Sequence, residues 1–367
     1  MNSFSPSLVI SLGLLLLARG AAAQSPPRYA VTDLGSLGGE ESAATALNNR
    51  GQIVGGADTA ARGKGPEYIT YVFLWEKEKM RRLPALNGSH AYATALNDVG
   101  QMAGAYSSDP LKASFQAARF SGTQIKLLGG FPATVRGFSL SQAEAINAKG
   151  ELVGVSNSQA FFWNQGHLRK LTPPAGFRGS EARALNNRGE SAGKGERLIG
   201  GMTRSHAIFW GAGGAARDLG VLPGYTDSVA RALSDTGSVV GWVSKVGGTP
   251  GRKISFHYQA FLVQNGKMRG LGSIPRIRDS KAGAINSRGQ IVGNAYSQSG
   301  RMTDEAALLW QNGHVYELAT LLPVHSGWRL QNAVGINNSG WIIGNGIHNG
   351  IRRGFLLRPV KLAKIKI

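Results

Sequence analysis

The 367-residue sequence contains no cysteine, and this absence removes several kinds of site at once. Without thiols the chain has no disulfide, no cysteine nucleophile, no cysteine metal ligand and no cysteine-linked lipid anchor. A chain of this length without disulfides must be stabilised by a hydrophobic core and by hydrogen bonds between strands.

Long apolar runs are also missing, apart from one near the N-terminus. Residues 8–17 form a ten-residue, mainly apolar run, and Ala21-Ala22-Ala23 before Gln24 is a small-residue cleavage signal. The run is shorter than the roughly 20 residues of a membrane-spanning helix. Although no Lys or Arg precedes it, the pattern predicts a signal peptide over residues 1–23 and a secreted or periplasmic bacterial protein.

Acidic residues are scarce relative to basic ones. Lys and Arg number 41 against 21 Asp and Glu, which gives a formal net charge of +20. Two interpretations stay open: solubility combined with an Arg-favouring codon usage, or affinity for an anionic partner such as an acidic glycan, lipid head groups or nucleic acid. Charge alone does not choose among these partners, and we expect no specific nucleic-acid recognition.

Glycine, by contrast, is abundant, with 52 residues, and much of it belongs to one repeated unit. The unit recurs seven times, as ATALNNRGQIVG (44–55), ATALNDVGQMAG (93–104), AEAINAKGELVG (143–154), ARALNNRGESAG (182–193), ARALSDTGSVVG (230–241), AGAINSRGQIVG (282–293) and AVGINNSGWIIG (333–344). The internal glycines lie 49, 50, 39, 48, 52 and 51 residues apart. Such a period is typical of a propeller blade rather than of a helical solenoid.

Each unit contains four short strand patterns. The first two flank the Asn-x-x-Gly segment, the third is an apolar burst such as YVFLW (71–75), and the fourth is leucine-rich, as in RLPAL (82–86). YAVTDLGSLGG (29–39) is a fourth strand without its preceding three, and the seventh unit stops after its third. The sequence therefore predicts an all-β fold: one seven-bladed β-propeller of four-stranded blades over residues 24–360, closed by the N-terminal strand. A short basic tail, 361–367, follows.

These repeats resemble the HAF-repeat family of bacterial extracellular proteins. The triplet that names the family survives once, as His206-Ala207 followed by Ile208-Phe209. Elsewhere it is degraded, as in Gln159-Ala160-Phe161 and Gln259-Ala260-Phe261. The resemblance covers nearly all of the predicted mature chain. It implies export and repetitive β structure, and it implies no established reaction or catalytic residue.

The glycine-rich stretch of each unit is predicted to be a hairpin turn and not a phosphate loop. It lacks the Lys-Ser/Thr pair and the following helical pattern of a phosphate site. Asn at the first position of a type I turn accepts hydrogen bonds from the turn backbone, and Gly three residues later adopts a left-handed conformation. In the fifth unit Ser234 replaces the Asn. The structural turn residues are Asn48, Gly51, Asn97, Gly100, Asn147, Gly150, Asn186, Gly189, Gly237, Asn286, Gly289, Asn337 and Gly340.

No metal, cofactor or catalytic constellation is visible in the sequence. The seven histidines lie at least eleven residues apart, which leaves no local ligand pair. There is no Gly-x-Ser-x-Gly nucleophile elbow and no Asp-x-Asp calcium loop. We therefore expect no metal and no cofactor, and we assign no catalytic residue.

One position of the first strand differs widely between units. Its occupants are, in turn, Thr45, Thr94, Glu144, Arg183, Arg231, Gly283 and Val334. If the first strand lines the central channel, Glu144, Arg183 and Arg231 lie near the axis on three successive blades. They form either a structural ion pair at the channel mouth or an anion-binding site, and both interpretations stay open.

A second set of candidate ligand-binding residues lies in the unrepeated connections. In a propeller, the connections between the second and third strands of a blade lie on the same face as the connections between blades. Six connections between second and third strands are predicted to be long variable loops: 56–70, 105–117, 194–205, 242–259, 294–305 and 345–353. Variable loops on a rigid frame usually carry binding function. The candidates are the aromatic residues Tyr106, Trp242 and Tyr258 with the basic residues Arg252 and Lys253, and Tyr225, Tyr296 and Trp328 share the aromatic pattern.

These features favour an exported, non-catalytic binding or scaffold propeller whose ligand face carries the long loops. The preferred partner is an anionic polysaccharide or another cell-surface component, the alternative partner is another protein, and a monomer is expected. The competing hypothesis is a carbohydrate-active hydrolase or lyase. It requires two carboxylates, or a His or Tyr with an Arg, to converge at the channel mouth.

Overall fold

The computed structural model describes residues 26–59, 70–83, 91–107, 114–132, 140–247, 255–299 and 302–360. Within these ranges, 28 strands form seven antiparallel sheets of four strands each, so the predicted seven-bladed β-propeller is confirmed. The predicted signal peptide and the basic tail 361–367 lie outside the described residues.

The first three blades follow the four-strand pattern in sequence order. Blade 1 consists of β2 (Gly38–Leu47), β3 (Ile53–Thr59), β4 (Thr70–Glu76) and β5 (Lys79–Arg82). Blade 2 consists of β6 (Ala91–Leu96), β7 (Gln101–Tyr106), β8 (Gln116–Ser121) and β9 (Gln124–Leu127). Blade 3 consists of β10 (Ser141–Ile146), β11 (Leu152–Ser156), β12 (Gln159–Asn164) and β13 (His167–Lys170).

The next three blades have longer second and third strands. Blade 4 consists of β14 (Gly179–Leu185), β15 (Ser191–Ile199), β16 (Met202–Trp210) and β17 (Ala216–Asp218). Blade 5 consists of β18 (Asp227–Leu233), β19 (Val239–Gly247), β20 (Ser255–Gln264) and β21 (Lys267–Gly270). Blade 6 consists of β22 (Ser280–Ile285), β23 (Ile291–Ser299), β24 (Met302–Gln311) and β25 (His314–Glu317), followed by a 3-10 turn at Leu318–Leu321.

Blade 7 joins the two ends of the chain, as predicted. It consists of β26 (Trp328–Ile336), β27 (Ile342–His348), β28 (Ile351–Pro359) and the N-terminal strand β1 (Tyr29–Asp33). β1 pairs with β28 from Tyr29 opposite Pro359 to Asp33 opposite Phe355. The first strand of every blade contacts the first strands of both neighbours, so these strands line the axis.

The hydrophobic core lies between neighbouring blades. Phe162 of blade 3, for example, packs in one cluster with Ile208 and Trp210 of blade 4. The tryptophans that end third strands are all buried, at 3%, 1%, 0% and 4% exposure for Trp75, Trp163, Trp210 and Trp310. Because each blade buries its apolar face only against the next, the ring must close for all seven to be covered.

The predicted Asn-x-x-Gly turns are confirmed in atomic detail. In blade 1 the side-chain oxygen of Asn48 accepts hydrogen bonds from the backbone amides of Arg50 and Gln52, at 3.1 and 2.9 Å. The amide of Gly51 donates to the carbonyl of Asn48 at 3.2 Å. The seven turn glycines have φ between 73° and 84°, a region in which other residues are strained.

The same Asn side chain has a second role, which the sequence alone did not reveal. Its Nδ2 group donates to the carbonyl oxygen of the equivalent residue in the next blade. The bonds run from Asn48 to Asn97 (2.9 Å), Asn97 to Asn147 (3.0 Å), Asn147 to Asn186 (3.1 Å), Asn186 to Ser234 (3.1 Å), Asn286 to Asn337 (3.0 Å) and Asn337 to Asn48 (3.2 Å). This belt of amide bonds connects adjacent blades around the axis.

The belt has one gap, between blades 5 and 6. Ser234 keeps the local turn, because its hydroxyl oxygen accepts from the amide of Ser238 at 3.1 Å. It has no amide group to extend to the carbonyl of Asn286. Among the turns that the structure describes, this is the one blade-to-blade step without the bond.

A β-bulge in every first strand explains the residue that varies between units. In blade 3, Ala143 pairs with Gly154 and Ala145 pairs with Val153, so Glu144 is the extra residue. The other six blades have the same shift, at Thr45, Thr94, Arg183, Arg231, Gly283 and Val334. A bulged residue is released from regular pairing and its side chain is redirected.

The bulge also explains the last glycine of the repeated unit. A Cβ on Gly154 would lie 1.9 Å from the carbonyl oxygen of Gln142, which no side chain tolerates. Its counterparts meet a first-strand carbonyl oxygen at 1.9–2.0 Å in the same way: Gly55, Gly104, Gly193, Gly241, Gly293 and Gly344. This glycine is therefore required by the close approach of two backbones.

The Asn-x-x-Gly turns define one face of the ring, here called the Asn-turn face. The opposite face, here called the long-hairpin face, carries the connections between second and third strands. The prediction of long loops at 194–205, 242–259, 294–305 and 345–353 was wrong for the described residues, because paired strands continue through most of these ranges. In blades 4 and 7 the strands continue to two-residue turns at Gly200-Gly201 and Asn349-Gly350. All four turn residues have positive φ, as tight hairpins require.

We predict that Ser234→Asn stabilises the protein, because it would supply the missing belt bond. The expected gain in the free energy of unfolding is about 1 kcal/mol, the usual net value of one hydrogen bond. Asn186→Ala should lower it by about 1–3 kcal/mol, since it removes the donor to a buried carbonyl. Urea denaturation of both variants tests this, and a destabilised Ser234→Asn protein would contradict the inferred geometry.

We also predict that Gly154→Ala destabilises the protein by about 3 kcal/mol or more, because its Cβ collides with backbone. Gly213→Ala is the matched control. Gly213 has no atom within 4 Å of an added Cβ and lies outside the left-handed region. Thermal unfolding of the two variants measures the difference, and equal melting temperatures would refute the close approach.

Candidate functional site

The bulge residues of blades 3, 4 and 5 bring charged side chains into the axial channel. Glu144, Arg183 and Arg231 stand on the first strands β10, β14 and β18 and are half-buried. The positive charges of Arg231 and Arg183 both act on Glu144. Blades 3 and 5 are not neighbours, so the coupling of Glu144 with Arg231 crosses the channel. The predicted grouping of these three residues is present in the structure.

Glu144 is held by a short chain of hydrogen bonds along the channel wall. The Tyr92 hydroxyl donates to Gln142 Oε1 at 2.5 Å, and Gln142 Nε2 donates to Glu144 Oε1 at 2.6 Å. Burial raises the pKa of Glu144, and the positive charges of Arg231 and Arg183 only partly offset this effect. The carboxyl therefore holds a proton more readily than an exposed glutamate.

Arg231 is the least satisfied charge in the channel. Burial lowers the pKa of its guanidinium, and the charge of Arg183 adds to this effect, while Glu144 opposes it. Within the part of the chain that the structure describes, Arg231 makes no hydrogen bond and no ion pair. A buried guanidinium has five N–H donors, so an unpaired one is a strong attractor for an anion.

Arg183, by contrast, is neutralised by its own strand. Its Nη2 lies 2.6 Å from Glu181 Oε2, and Lys194 Nζ lies 3.2 Å from Glu181 Oε1 and 2.8 Å from Glu196 Oε1. Despite burial, these hydrogen bonds and charges hold the pKa of Glu181 below its usual value. The ion-pair interpretation thus fits Arg183, with Glu181 as its partner rather than Glu144.

Sequence reasoning missed Glu181 and Lys194 as members of the site. Glu181 stands two residues before the bulge residue Arg183, and Lys194 is its cross-strand partner in β15. The alternation of a strand predicts that Glu181 and Arg183 share a side. The position of Lys194 was accessible only once the register of the bulged pair was known.

A second cluster lies between blades 5 and 6, close to the long-hairpin face. Lys281 Nζ lies 3.8 Å from the ring centre of Tyr258, 4.8 Å from that of Tyr296 and 5.3 Å from that of Trp242. Burial lowers the pKa of Lys281, and the nearby Asp279 carboxylate opposes this. The structure brings the candidates Trp242 and Tyr258 together around a lysine that sequence reasoning did not select.

The remaining candidates are not part of either cluster. Tyr106 belongs to blade 2 and packs against the core that blades 1 and 2 share, so it is absent from the blade 5 and 6 cluster. Arg252 and Lys253 lie outside the described residues, and their role stays a prediction. Trp328 stacks on His348 with ring centres 4.5 Å apart, within blade 7.

A polar hollow of about 260 Å³ opens at the axis on the Asn-turn face. It is lined by the turn residues of all seven blades. Its two carboxylates are engaged: Asp98 accepts from the amide and Nδ2 of Asn49, and Asp235 accepts the same two bonds from Asn187. No Lys or Arg is among the residues that line this hollow.

Neither a metal cluster nor a membrane-spanning helix occurs in the described ranges. They contain no group of three or more His, Asp or Glu residues placed to hold a metal ion. They also contain no helix with the length and apolar character needed to cross a membrane.

Comparisons with known proteins support the fold. No family model matches the chain, and no curated protein matches it either. Among solved structures, it is similar to the β-propeller domain of the Trilobed protease from Pyrococcus furiosus, with a TM-score of 0.52 and 10% identity over 89% of this chain and 98% of that one. That domain is described as having an open velcro topology, whereas β1 and β28 pair here.

Two weaker likenesses carry no further argument. Porphyromonas gingivalis dipeptidyl peptidase 4 gives a TM-score of 0.46 with 9% identity, over 91% of this chain and 54% of that one. A putative oxidoreductase (glucose dehydrogenase) from Thermus thermophilus gives 0.38 with 13% identity, over 90% and 99%. At such identities structural similarity shows a shared fold and not a shared function.

We predict opposite pH effects for the two channel carboxyls. A raised pKa in the folded state means that the Glu144 contribution to stability is present at acid pH and is lost as pH rises through that pKa. A lowered pKa means that the Glu181 contribution is present above the unfolded pKa and is lost as pH falls through the folded one. Relative to Glu144→Gln, the wild type should therefore lose stability from acid to neutral pH; relative to Glu181→Gln, it should gain. Urea denaturation across that range checks both signs, and equal signs would contradict the two environments.

Proposed function

We propose that this chain is an exported, non-catalytic binding propeller, and that its axial channel receives an anionic group of a glycan from the long-hairpin face. The observation that carries the proposal is Arg231. A half-buried guanidinium without a protein acceptor in the described structure leaves its five N–H donors available to a ligand. A carboxylate or sulfate accepts two parallel N–H bonds from a guanidinium, which makes the match geometric as well as electrostatic.

The surroundings of Arg231 support a small anion rather than a bulky one. Glu144 is coupled to Arg231 across the channel, and burial raises the pKa of its carboxyl. Where an arriving oxyanion brings a proton to this carboxyl, the carboxyl can donate a hydrogen bond to it. Arg183 and Lys194 are already paired with Glu181, so they shape the local field without competing for the ligand. Because Arg231 is the one of these three cations without a protein partner in the described structure, we expect the channel to bind one acidic sugar group at a time.

The aromatic cluster around Lys281 supports a sugar ligand. Tyrosine and tryptophan rings combine a flat apolar face with a polar tip, and sugar rings present apolar C–H faces with hydroxyls at their edges. The two tyrosines contact each other, with ring centres 5.4 Å apart, and Lys281 adds a positive charge. This cluster provides a platform for further residues of an acidic polysaccharide.

Export and the HAF-repeat relationship belong to the same proposal. They are supported by the N-terminal apolar run, the absence of cysteine and the seven repeated units. A cell-surface or secreted acidic polysaccharide is a partner that an exported protein of charge +20 would meet. Detection of the protein in periplasmic or culture fractions, with its N-terminus at Gln24, tests this part.

We predict that Arg231→Gln weakens binding of oligogalacturonate at least tenfold, because the variant loses the charged donors of the channel. Arg269→Gln removes the same charge from an exposed position on the outer strand β21 and should leave affinity unchanged. Calorimetric titration at low and at raised salt measures both, and binding should weaken as salt screens the charges. Absence of binding by the wild type to any acidic glycan on an array at low salt would refute the proposal.

A carbohydrate hydrolase or lyase is the second candidate, and one observation favours it. Glu144 and Glu181 have pKa values displaced in opposite directions within one channel, the pattern of an acid paired with an ionised carboxylate. New reducing ends or unsaturated products from the same polysaccharides would establish it, provided that Glu144→Gln abolishes them. Saturable binding without any product would establish the binding module instead.

A further inference from the structure

We propose that the long-hairpin face docks onto an anionic lipid bilayer through the tips of its hairpins. The first observation is the one-sided distribution of exposed apolar side chains. Of the eleven large hydrophobic residues exposed in the described structure, eight lie on this face: Leu140, Leu198, Ile199, Met202, Val246, Phe256, Val324 and Ile351. Only Val99, Leu127 and Val360 lie elsewhere. Such a concentration on one surface marks an interaction site.

The second observation is that four of these residues form two cross-strand pairs, on the hairpins of blades 4 and 5. In blade 4, Ile199 is the cross-strand partner of Met202, next to the Gly200-Gly201 turn, and they are 43% and 56% exposed. In blade 5, Val246 is the partner of Phe256, at 54% and 56% exposure. Neither pair belongs to a core cluster of the described residues. Phe256 contacts the ring of Tyr258, with ring centres 6.5 Å apart, and the rest of both pairs is apolar surface exposed to solvent.

The third observation is the basic layer directly behind these pairs. Arg197 and Arg204 are cross-strand partners in blade 4, two residues from the turn-flanking pair. In blade 5, Lys245 is opposite His257, next to the Val246 pair. Two residues of strand span roughly 7 Å, which fits the roughly 5–10 Å by which interfacial elements enter the boundary between headgroups and acyl chains. If the apolar pairs of these hairpins entered the acyl region, the basic residues behind them would lie at the level of the lipid phosphates.

Charge complementarity selects an anionic bilayer as the occupant. Asp218 and Asp227 partly neutralise Arg197 and Arg204, and Asp279 lies beside His257. The chain as a whole nevertheless carries +20, and basic residues near a membrane surface strengthen binding to anionic lipid. The tips are small and separate, and a protein partner would instead require a continuous complementary surface of about 800 Å² on this side. A lipid surface, by contrast, can accept several separate apolar side chains that each insert to a shallow depth.

The test uses the absence of cysteine to label single positions. Ile199→Cys and Phe256→Cys carry an environment-sensitive dye at the tips, and Val99→Cys carries it on the Asn-turn face, where the side chain is 65% exposed. The chain from Gln24 onward serves as the protein, because it contains all seven blades and omits the apolar N-terminal run. Vesicles of phosphatidylcholine alone, and with phosphatidylglycerol added, are the probes.

Both tip dyes should brighten several-fold and shift to the blue on vesicles with phosphatidylglycerol, and the Val99 dye should not respond. Flotation with the same vesicles should weaken about tenfold in Ile199→Ser combined with Met202→Ser, and in Phe256→Ser, as expected for lost apolar burial. Val99→Ser is the matched control, with unchanged flotation. Arg231→Gln should float like the wild type, which separates this proposal from glycan binding.

Three outcomes would overturn the proposal. The first is no dye response at either tip on anionic vesicles at low salt. The second is an equal response at Val99, which would mean non-specific adsorption. The third is a tip response that appears without lipid and rises with protein concentration, which would assign the hairpins to self-association.

Discussion

The structure depends on one interaction, the hydrogen bond from an Asn side-chain amide to a backbone carbonyl in the next blade. Each of these asparagines uses its oxygen to form its own turn and its nitrogen to hold the neighbouring turn. Local folding of a hairpin and assembly of the ring are thereby coupled through one side chain. The site inherits its geometry from this coupling: the strand that carries Glu144 leads into the turn of Asn147, which donates to Asn186, and the strand that carries Arg231 leads into Ser234, which accepts from Asn186.

The molecule separates stability from recognition along its axis. The Asn-turn face is uniform, and its acidic groups are satisfied by neighbouring amides. The long-hairpin face is irregular, basic and partly apolar, and the incompletely paired guanidinium of Arg231 faces the channel. A binding function on the long-hairpin face does not disturb the belt of amide bonds on the Asn-turn face. The two proposed ligands, an acidic glycan and a lipid surface, contact different residues of the long-hairpin face.

Much of the fold could be predicted from the sequence, because each blade repeats one local pattern. The turn residues, the apolar third strands and the closure by β1 all follow from the repeat. The blade-to-blade amide bonds did not, since they require the relative placement of two units. Glu144, Arg183 and Arg231 were grouped correctly. Lys194 and Lys281 escaped because their partners come from other strands, whereas the pairing of Glu181 with Arg183 lies within one strand and could have been read from its alternation. The hairpins of blades 4 and 7 were taken for loops because their residues are not shared between units.

The bulge has a consequence for how such a protein can be altered. In each blade the paired backbones fix the glycine of the second strand, while the bulged residue opposite makes no ladder contact of its own. Seven positions around one channel can therefore be exchanged without a change of register, although Glu144, Arg183 and Arg231 influence one another electrostatically. The same frame can display very many sets of residues at these positions, of which the present one comprises two threonines, one acid, two arginines, a glycine and a valine. The ring is therefore a suitable template for redesigning the chemistry of a channel.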